Sequence, residues 1–280
     1  MTSLFGFILK GEKSYIHFIT YLSVIVTDKT QHPFRKKWGQ NFLTDKNLLG
    51  KIVRTVLPQP GDSILEIGPG EGALSEKILP EVKEMVAVEI DPMLIGHLTN
   101  RSDLDRLKVI QGDILLQNIA DLPISNPVRV IGNIPYNITS PIIFWLIDQL
   151  DNWTDAFIMM QKEVAERLTA AVGTKAYGRL TVLVGAYLEA NYCFTIPPDV
   201  FIPRPKVKSS IVRFIKKDQP LVADDQYVKF SKIVTAAFNQ RRKMLNNSLK
   251  SWKIPEEVRE KIDFTRRPET LSIKEFAALV

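Results

Sequence analysis

The run Val130-Ile-Gly-Asn-Ile-Pro-Tyr-Asn-Ile-Thr139 places a carboxamide, an X-Pro bond and an aromatic ring directly after a short apolar stretch. Asn133 brings a neutral acceptor and donor pair. Pro135 biases Ile134 toward extended backbone with its carbonyl free to point outward, and Tyr136 supplies a stacking face. Together they suit a flat base that carries an exocyclic amino group. Upstream, Gly68, Gly70 and Gly72 punctuate Ile64-Leu-Glu-Ile-Gly-Pro-Gly-Glu-Gly-Ala-Leu-Ser75, a strand-to-helix turn that lets a ligand approach the backbone. Their Gly-x-Gly-x-Gly spacing differs from the dinucleotide fingerprint, and a glycine loop alone is weak evidence. Glu89 strengthens it by ending the next apolar run about 20 residues on, where a carboxylate can take both hydroxyls of a ribose. Asp113 closes a third run, Val109-Ile-Gln-Gly-Asp113, and can accept from an adenine amino group; an ordinary helix cap is the competing reading. Gly68, Glu89, Asp113 and Asn133 thus stand at successive strand ends, which share the carboxyl edge of an open sheet. The set predicts a nucleoside pocket whose reactive end faces Asn133, and group transfer to a nucleobase.

Five apolar runs must position these residues: Ser63 to Ile67, Met85 to Val88, Leu107 to Ile110, Val128 to Ile131 and Ala156 to Met160. They alternate with helix-like segments, which predicts an α/β wound domain with a parallel sheet covered on both faces. Ahead of them, Asp45 is a candidate cap for a helix whose stripe is Leu48, Leu49, Ile52, Val53, Val56 and Leu57, ended by Pro58, Pro60 and Gly61. Tyr192 to Ile196 and Ser209 to Ile215 follow with a Pro-rich connection between them and predict an antiparallel pair at a sheet edge. Beyond Lys216 the pattern is helical, with Val228, Ile233, Val234, Ala237 and Phe238 on one stripe. The expected division is an extension of unclear role over 1–34, a catalytic domain over 35–217 and a helical domain over 218–280.

The chain has 280 residues, 45% hydrophobic, with a formal charge of +6 and a pI near 9.2. That is enough to bury a full core, and the basic balance favours an anionic partner. From Lys216 to Val280 there are 14 Lys and Arg against 9 Asp and Glu, so the basicity belongs mainly to the tail. Cys193 stands alone, which excludes an internal disulfide and a thiolate zinc site and points to a reducing compartment. His17, His32 and His97 show no metal-ligand spacing, and no metal is expected. Phe18 to Val26 is too short for a membrane span, and Lys10, Glu12 and Lys13 fit a signal peptide poorly. A packed element, a disordered arm and translation from an upstream start codon all stay open for the first 34 residues.

Further motifs appear in order: Gly-Gln-Asn-Phe-Leu at 39 to 43, Glu-Ile-Gly-Pro-Gly at 66 to 70, Glu89 with Asp91, and Gly-Asn-Ile-Pro-Tyr-Asn-Ile at 132 to 138. Gln-Lys-Glu-Val-Ala-Glu-Arg-Leu at 161 to 168, Lys-Ala-Tyr-Gly-Arg-Leu at 175 to 180 and Phe-Ile-Pro-Arg-Pro-Lys-Val at 201 to 207 complete the series. Over residues 35 to 250 the chain resembles the class I S-adenosylmethionine-dependent methyltransferases, and within them the rRNA adenine N6,N6-dimethyltransferases. The resemblance implies a Rossmann-like α/β fold, a mostly parallel seven-stranded sheet and a small all-helical C-terminal domain. It further implies that Asn41, Leu43, Gly68, Glu89, Asp113 and Asn133 line the S-adenosylmethionine site, with Tyr136 and Phe201 sandwiching the target adenine beside Asn133. The segment Phe238-Asn-Gln-Arg-Arg-Lys-Met-Leu-Asn-Asn-Ser-Leu249 resembles the housekeeping branch, which dimethylates two adjacent adenosines in a hairpin loop near the 3′ end of 16S rRNA. The partners so implied are small-subunit rRNA and the immature small ribosomal subunit, met in the cytoplasm by a monomer.

Three other readings compete: a large-subunit enzyme of the macrolide-resistance type, a DNA adenine methyltransferase, and an assembly factor whose binding outweighs catalysis. Ile134 argues against the DNA enzymes, which usually carry Asp or Asn followed by Pro-Pro and an aromatic residue. Arg35 to Lys37, Lys206, Lys208, Arg241 to Lys243, Arg266 and Arg267 are candidate phosphate contacts, with the Arg241 cluster preferred.

Overall fold

In the computed structural model, which describes residues 41–280, each of the five apolar runs expected to position the site becomes a strand. The strands are β1 (Phe42–Leu43), β2 (Ser63–Ile67), β3 (Glu84–Glu89), β4 (Leu107–Gln111), β5 (Val128–Asn133), β6 (Trp153–Gln161), β7 (Leu188–Ile196), β8 (Phe201–Ile202) and β9 (Ser209–Lys216). Seven of them form one sheet in the order β4-β3-β2-β5-β6-β9-β7. The first five in that order run parallel, whereas β9 pairs antiparallel with both β6 and β7. All five residues of β2 are buried, as a central strand covered on both faces requires. The expected edge strand starts earlier, at Leu188, because exposed Glu189 breaks the apolar signal on an edge that one face leaves in water.

The helices obey the same burial logic. In α1 (Lys46–Val56), Asp45 Oδ1 accepts from the Leu48 N–H at 2.8 Å, and Leu49, Ile52 and Val56 are buried. Leu57 leaves the expected stripe: it ends the helix in the left-handed region at φ 52° and is 65% exposed. Next come α2 (Ser75–Ile78), α3 (Pro92–Thr99), α4 (Thr139–Ile147), α5 (Lys162–Leu168) and α6 (Arg179–Gly185).

The tail carries α7 (Tyr227–Asn239), α8 (Leu245–Ser248), α9 (Glu256–Lys261) and α10 (Ile273–Ala277). In α7 the buried residues are Phe230, Ile233, Val234 and Ala237, whereas Val228 is exposed and falls outside the core stripe. These helices pack against α6 and the end of β9. The Lys217 N–H donates to the Tyr187 carbonyl at 3.0 Å and that of Leu221 to Ala186 at 2.8 Å. Tyr177 donates to the Leu271 carbonyl at 2.8 Å, and the Phe238 and Phe276 rings stack at 5.5 Å. Residues 1–34, the Arg35 to Lys37 cluster, Gly39, Gln40, His17 and His32 lie outside the described residues.

Near the amino edge of the sheet, Asp155 on β6 clasps its neighbours. Its carboxylate accepts from Arg129 on β5 at 2.8 and 3.1 Å and from Arg213 on β9 at 3.1 and 2.9 Å. Arg129 also donates to the Val56 carbonyl at 2.7 Å, which closes the C-terminus of α1. Removing one partner of a buried ion network strands the others. Asp155→Ala should therefore lower the unfolding free energy by about 3 kcal/mol in chemical denaturation, and a loss below about 1 kcal/mol would show that water screens the network.

Candidate active site

Four strand ends meet along the carboxyl edge. Gly68 follows β2 at φ 64°, and a side chain there would meet nothing within 4 Å, so its surface is open to a ligand. Gly70, at φ 60°, is covered instead: a Cβ would lie 3.0 Å from the Phe42 ring. Glu89, 2% exposed at the end of β3, accepts three backbone N–H groups, from Gly70 at 3.2 Å, Ile90 at 2.9 Å and Asp91 at 3.0 Å. Its Oε2 carries only the longest of these bonds and keeps capacity for a hydroxyl donor. Burial pushes its carboxyl above the ordinary range, partly offset by those amides.

Asp113 takes the capping role of its competing reading with one of its two oxygens. Its Oδ1 caps a short 3₁₀ turn by accepting from the Leu115 N–H at 2.9 Å. The other oxygen takes no hydrogen bond among the described residues and remains available to an amino donor. The preceding residue is tied to the rest of the site, since the Gly112 N–H donates to the Glu89 carbonyl at 2.9 Å.

Asn133 ends β5 and is half-buried. Its Nδ2 donates to the Asn41 carbonyl at 3.0 Å, so the acceptor end of the amide is the one left for a ligand. Asn41 enters β1, where Leu43 pairs with Phe201 and Phe42 with Ile202, and the Thr44 N–H donates to the Val200 carbonyl at 3.0 Å. One short strand thereby touches the glycine loop through Phe42, the carboxamide through Asn41 and β8 through its backbone. Asn41, Leu43, Gly68, Glu89, Asp113, Asn133 and Tyr136 are linked by these contacts and by short sequence steps.

Phe201 stands differently from the sequence expectation. The residue is 2% exposed and packs in the core with Leu43, so neither face of its ring is open to a base in this structure. Tyr136 is half-buried and its hydroxyl lies 2.6 Å from Ser209 Oγ. Among the basic candidates, Arg241 donates to the Lys175 carbonyl at 2.8 Å and the Thr174 carbonyl at 3.1 Å. Arg266 is paired with Glu275. Both guanidiniums hold the tail together, which leaves Arg242, Lys243 and Arg267 exposed with Lys206 and Lys208. Among the described residues no helix is long and apolar enough to cross a membrane, and no cluster of His, Cys, Asp or Glu could hold a metal ion.

Glu66 is a site residue that motif reading left without a role. It is 2% exposed within β2, and its Oε2 accepts from Ser75 Oγ at 2.5 Å beneath the glycine loop. Its sequence signal is a carboxylate inside an otherwise apolar run. Burial, with Glu89 adding repulsion, pushes its pKa from 4.5 up to about 7. Between those values the folded state keeps a proton that the unfolded chain releases, so stability falls as pH rises through that window. Glu66→Gln should remove this fall and stabilise the protein at pH 8 by roughly 3 kcal/mol relative to wild type. Denaturant unfolding at pH 5 and pH 8 checks it; equal slopes for the two proteins would refute the assignment.

The family model described as ribosomal RNA adenine dimethylase matches residues 31–277. A protein of Alcanivorax borkumensis named ribosomal RNA small subunit methyltransferase A is 43% identical over 251 residues, covering 89% of this chain and 90% of its own. Its namesake in Acinetobacter baylyi is 39% identical over 267 residues, covering 94% and 97%. The crystal structure of a dimethyladenosine transferase from Plasmodium falciparum superposes with a TM-score of 0.74 at 28% identity, covering 85% of this chain and 95% of that one. The 23S rRNA methyltransferase ErmE gives 0.68 at 26%, covering 85% and 98%. With the glycine loop, the acidic strand ends and the oriented carboxamide in one connected edge, the chain belongs to the ribosomal RNA adenine dimethylase family.

Proposed function

We propose that this chain uses S-adenosylmethionine to dimethylate the N6 atoms of two adjacent adenosines in a hairpin loop near the 3′ end of 16S rRNA. The observation that carries it is the orientation of Asn133, whose amide nitrogen donates to the Asn41 carbonyl and so turns its oxygen the other way as a neutral acceptor beside the glycine loop. The donor, when bound, supplies an electrophilic methyl group on a sulfonium. The residues present fit its nucleoside: Gly68 leaves open surface, Glu89 Oε2 accepts from ribose hydroxyls, and the free oxygen of Asp113 accepts from the adenine amino group. Asn41 and Leu43 close over it from β1.

The amino nitrogen of adenine is a poor nucleophile because its lone pair is delocalised into the ring. Acceptance of its hydrogens by Asn133 Oδ1 and the Ile134 carbonyl favours a pyramidal nitrogen with the lone pair restored. Neutral acceptors stabilise positive charge as it develops on nitrogen, whereas a carboxylate there would also stabilise the charged donor in the ground state. The proton leaves after transfer, so no dedicated base is needed, and the rate depends on in-line alignment. Tyr136 offsets the cost of unstacking the base, while Phe201, enclosed in the core, backs the loop beside it.

The exposed Lys206, Lys208, Arg242, Lys243 and Arg267 are proposed to hold phosphates, with residues 218–280 as the segment that meets rRNA in an immature small subunit in the cytoplasm, the enzyme acting as a monomer. The small-subunit assignment over the large-subunit one rests on the 39–43% identity to proteins named for the small subunit against 26% to ErmE.

Mass spectrometry of small-subunit RNA treated with protein and labelled donor should show two adjacent dimethyladenosines; label only in large-subunit RNA would overturn the reading. Asn133→Ala should slow methylation by about 10²-fold or more. If that variant instead restores subunit maturation in a deletion strain while inactive, binding outweighs catalysis. RNA affinity should fall log-linearly with salt, and a flat response would exclude the phosphate contacts.

A further inference from the structure

We propose that Ser209 is a positioning residue for the target base, acting through the hydroxyl of Tyr136; this rests on the reading that Tyr136 stacks on that base. Tyr136 leaves β5 on a short 3₁₀ turn, Tyr136–Ile138, and Ser209 begins β9 on the far side of β6. Two strand spacings, about 10 Å, separate those elements, so only a long side chain bridges them. The bridge is made: the two hydroxyl oxygens lie 2.6 Å apart.

The serine is an unusually fixed anchor. It is 0% exposed, pairs with Gln161 of β6 on one side and Ile196 of β7 on the other, and follows Lys208, whose carbonyl accepts from the Lys162 N–H at 2.9 Å. Tyr136, by contrast, sits where the chain turns out of the sheet and keeps part of its ring exposed. A phenol oxygen lies on the axis about which its ring flips. A bond to it therefore anchors the outer end of the ring and the direction of its axis, and leaves rotation about that axis to the packing on the ring's faces, where a stacked base would itself bear. Tyr136 burial pushes its phenol pKa upward, so the hydroxyl stays protonated and hydrogen-bonded near neutral pH.

The adjacent residue provides an internal control. Ser210, on the opposite face of β9, lies 2.6 Å from the Tyr192 hydroxyl and donates to the Ser209 carbonyl at 2.8 Å, so Tyr192→Phe deletes a Tyr–Ser pair of the same chemistry while leaving Ser209 and its neighbour intact.

The test compares wild type, Ser209→Ala, Tyr136→Phe, the double variant, Tyr136→Ala and Tyr192→Phe for methylation rate at saturating RNA and donor, and for affinity toward S-adenosylhomocysteine. Ser209→Ala and Tyr136→Phe should each slow the reaction by roughly threefold to tenfold, the worth of one net hydrogen bond, with product affinity unchanged. The double variant should be no slower than the slower single one, because both changes delete the same bond. Tyr192→Phe should keep the wild-type rate. Should Ser209→Ala fail to fold, Tyr136→Phe removes the bond from its other end and carries the test. Wild-type rates for Ser209→Ala and Tyr136→Phe, or additive losses in the double variant, would overturn the role of Ser209. If Tyr136→Ala also keeps the wild-type rate, the stacking reading itself fails; if Tyr136→Ala alone is slow, only the tether fails.

Discussion

A carboxamide has two ends of similar shape and opposite hydrogen-bonding character, and the chemistry at Asn133 depends on which end is left free. The Asn41 carbonyl settles this by accepting from Nδ2. That carbonyl is held in turn, because β1 pairs with β8 and Phe42 covers Gly70. A two-residue strand thus fixes the polarity of the residue proposed to receive the base. The same strand adjoins the glycine loop through Phe42 and the strand carrying Phe201 through its backbone.

Around this point the protein keeps negative charge where it binds and away from where it would hinder transfer. Glu89 is desolvated but satisfied by backbone amides, and Glu66 is buried deeply enough to hold its proton near neutrality. Ionised carboxylates in such sites are tolerated only with donors of this kind. At Asn133 itself the acceptor is uncharged, which suits a reaction that moves positive charge from sulfur toward nitrogen.

The rigid parts lie at the opposite edge and on the flank. Asp155 with Arg129 and Arg213 ties three strands and the end of α1 together, while Tyr177, Phe238 and Phe276 weld the tail helices to α6. Loops at the carboxyl edge can then differ in exposure without loosening the sheet. Phe201 enclosed beside Tyr136 half-open is one such difference.

The sequence by itself determined the seven strands of the main sheet, but neither β1, β8 nor the order in which the strands lie. Alternating apolar runs and glycine punctuation are local properties, and parallel connections send every strand end to one edge, so Gly68, Glu89, Asp113 and Asn133 could be grouped from spacing. Asp45 was legible as a cap for the same local reason. Leu57 and Val228 were misplaced on their stripes because periodicity registers hydrophobicity, not where a helix ends or what covers it. Only the tertiary structure decided that Arg241 serves carbonyls 66 and 67 residues away, that Phe201 is enclosed, that Glu66 is desolvated, and that Asn133 and Tyr136 are each set by a partner distant in sequence. Those outcomes depend on pairings across β1–β8 and across β5, β6 and β9, and no periodicity within a segment encodes which distant atom will fill the remaining valence of a hydrogen-bonding group.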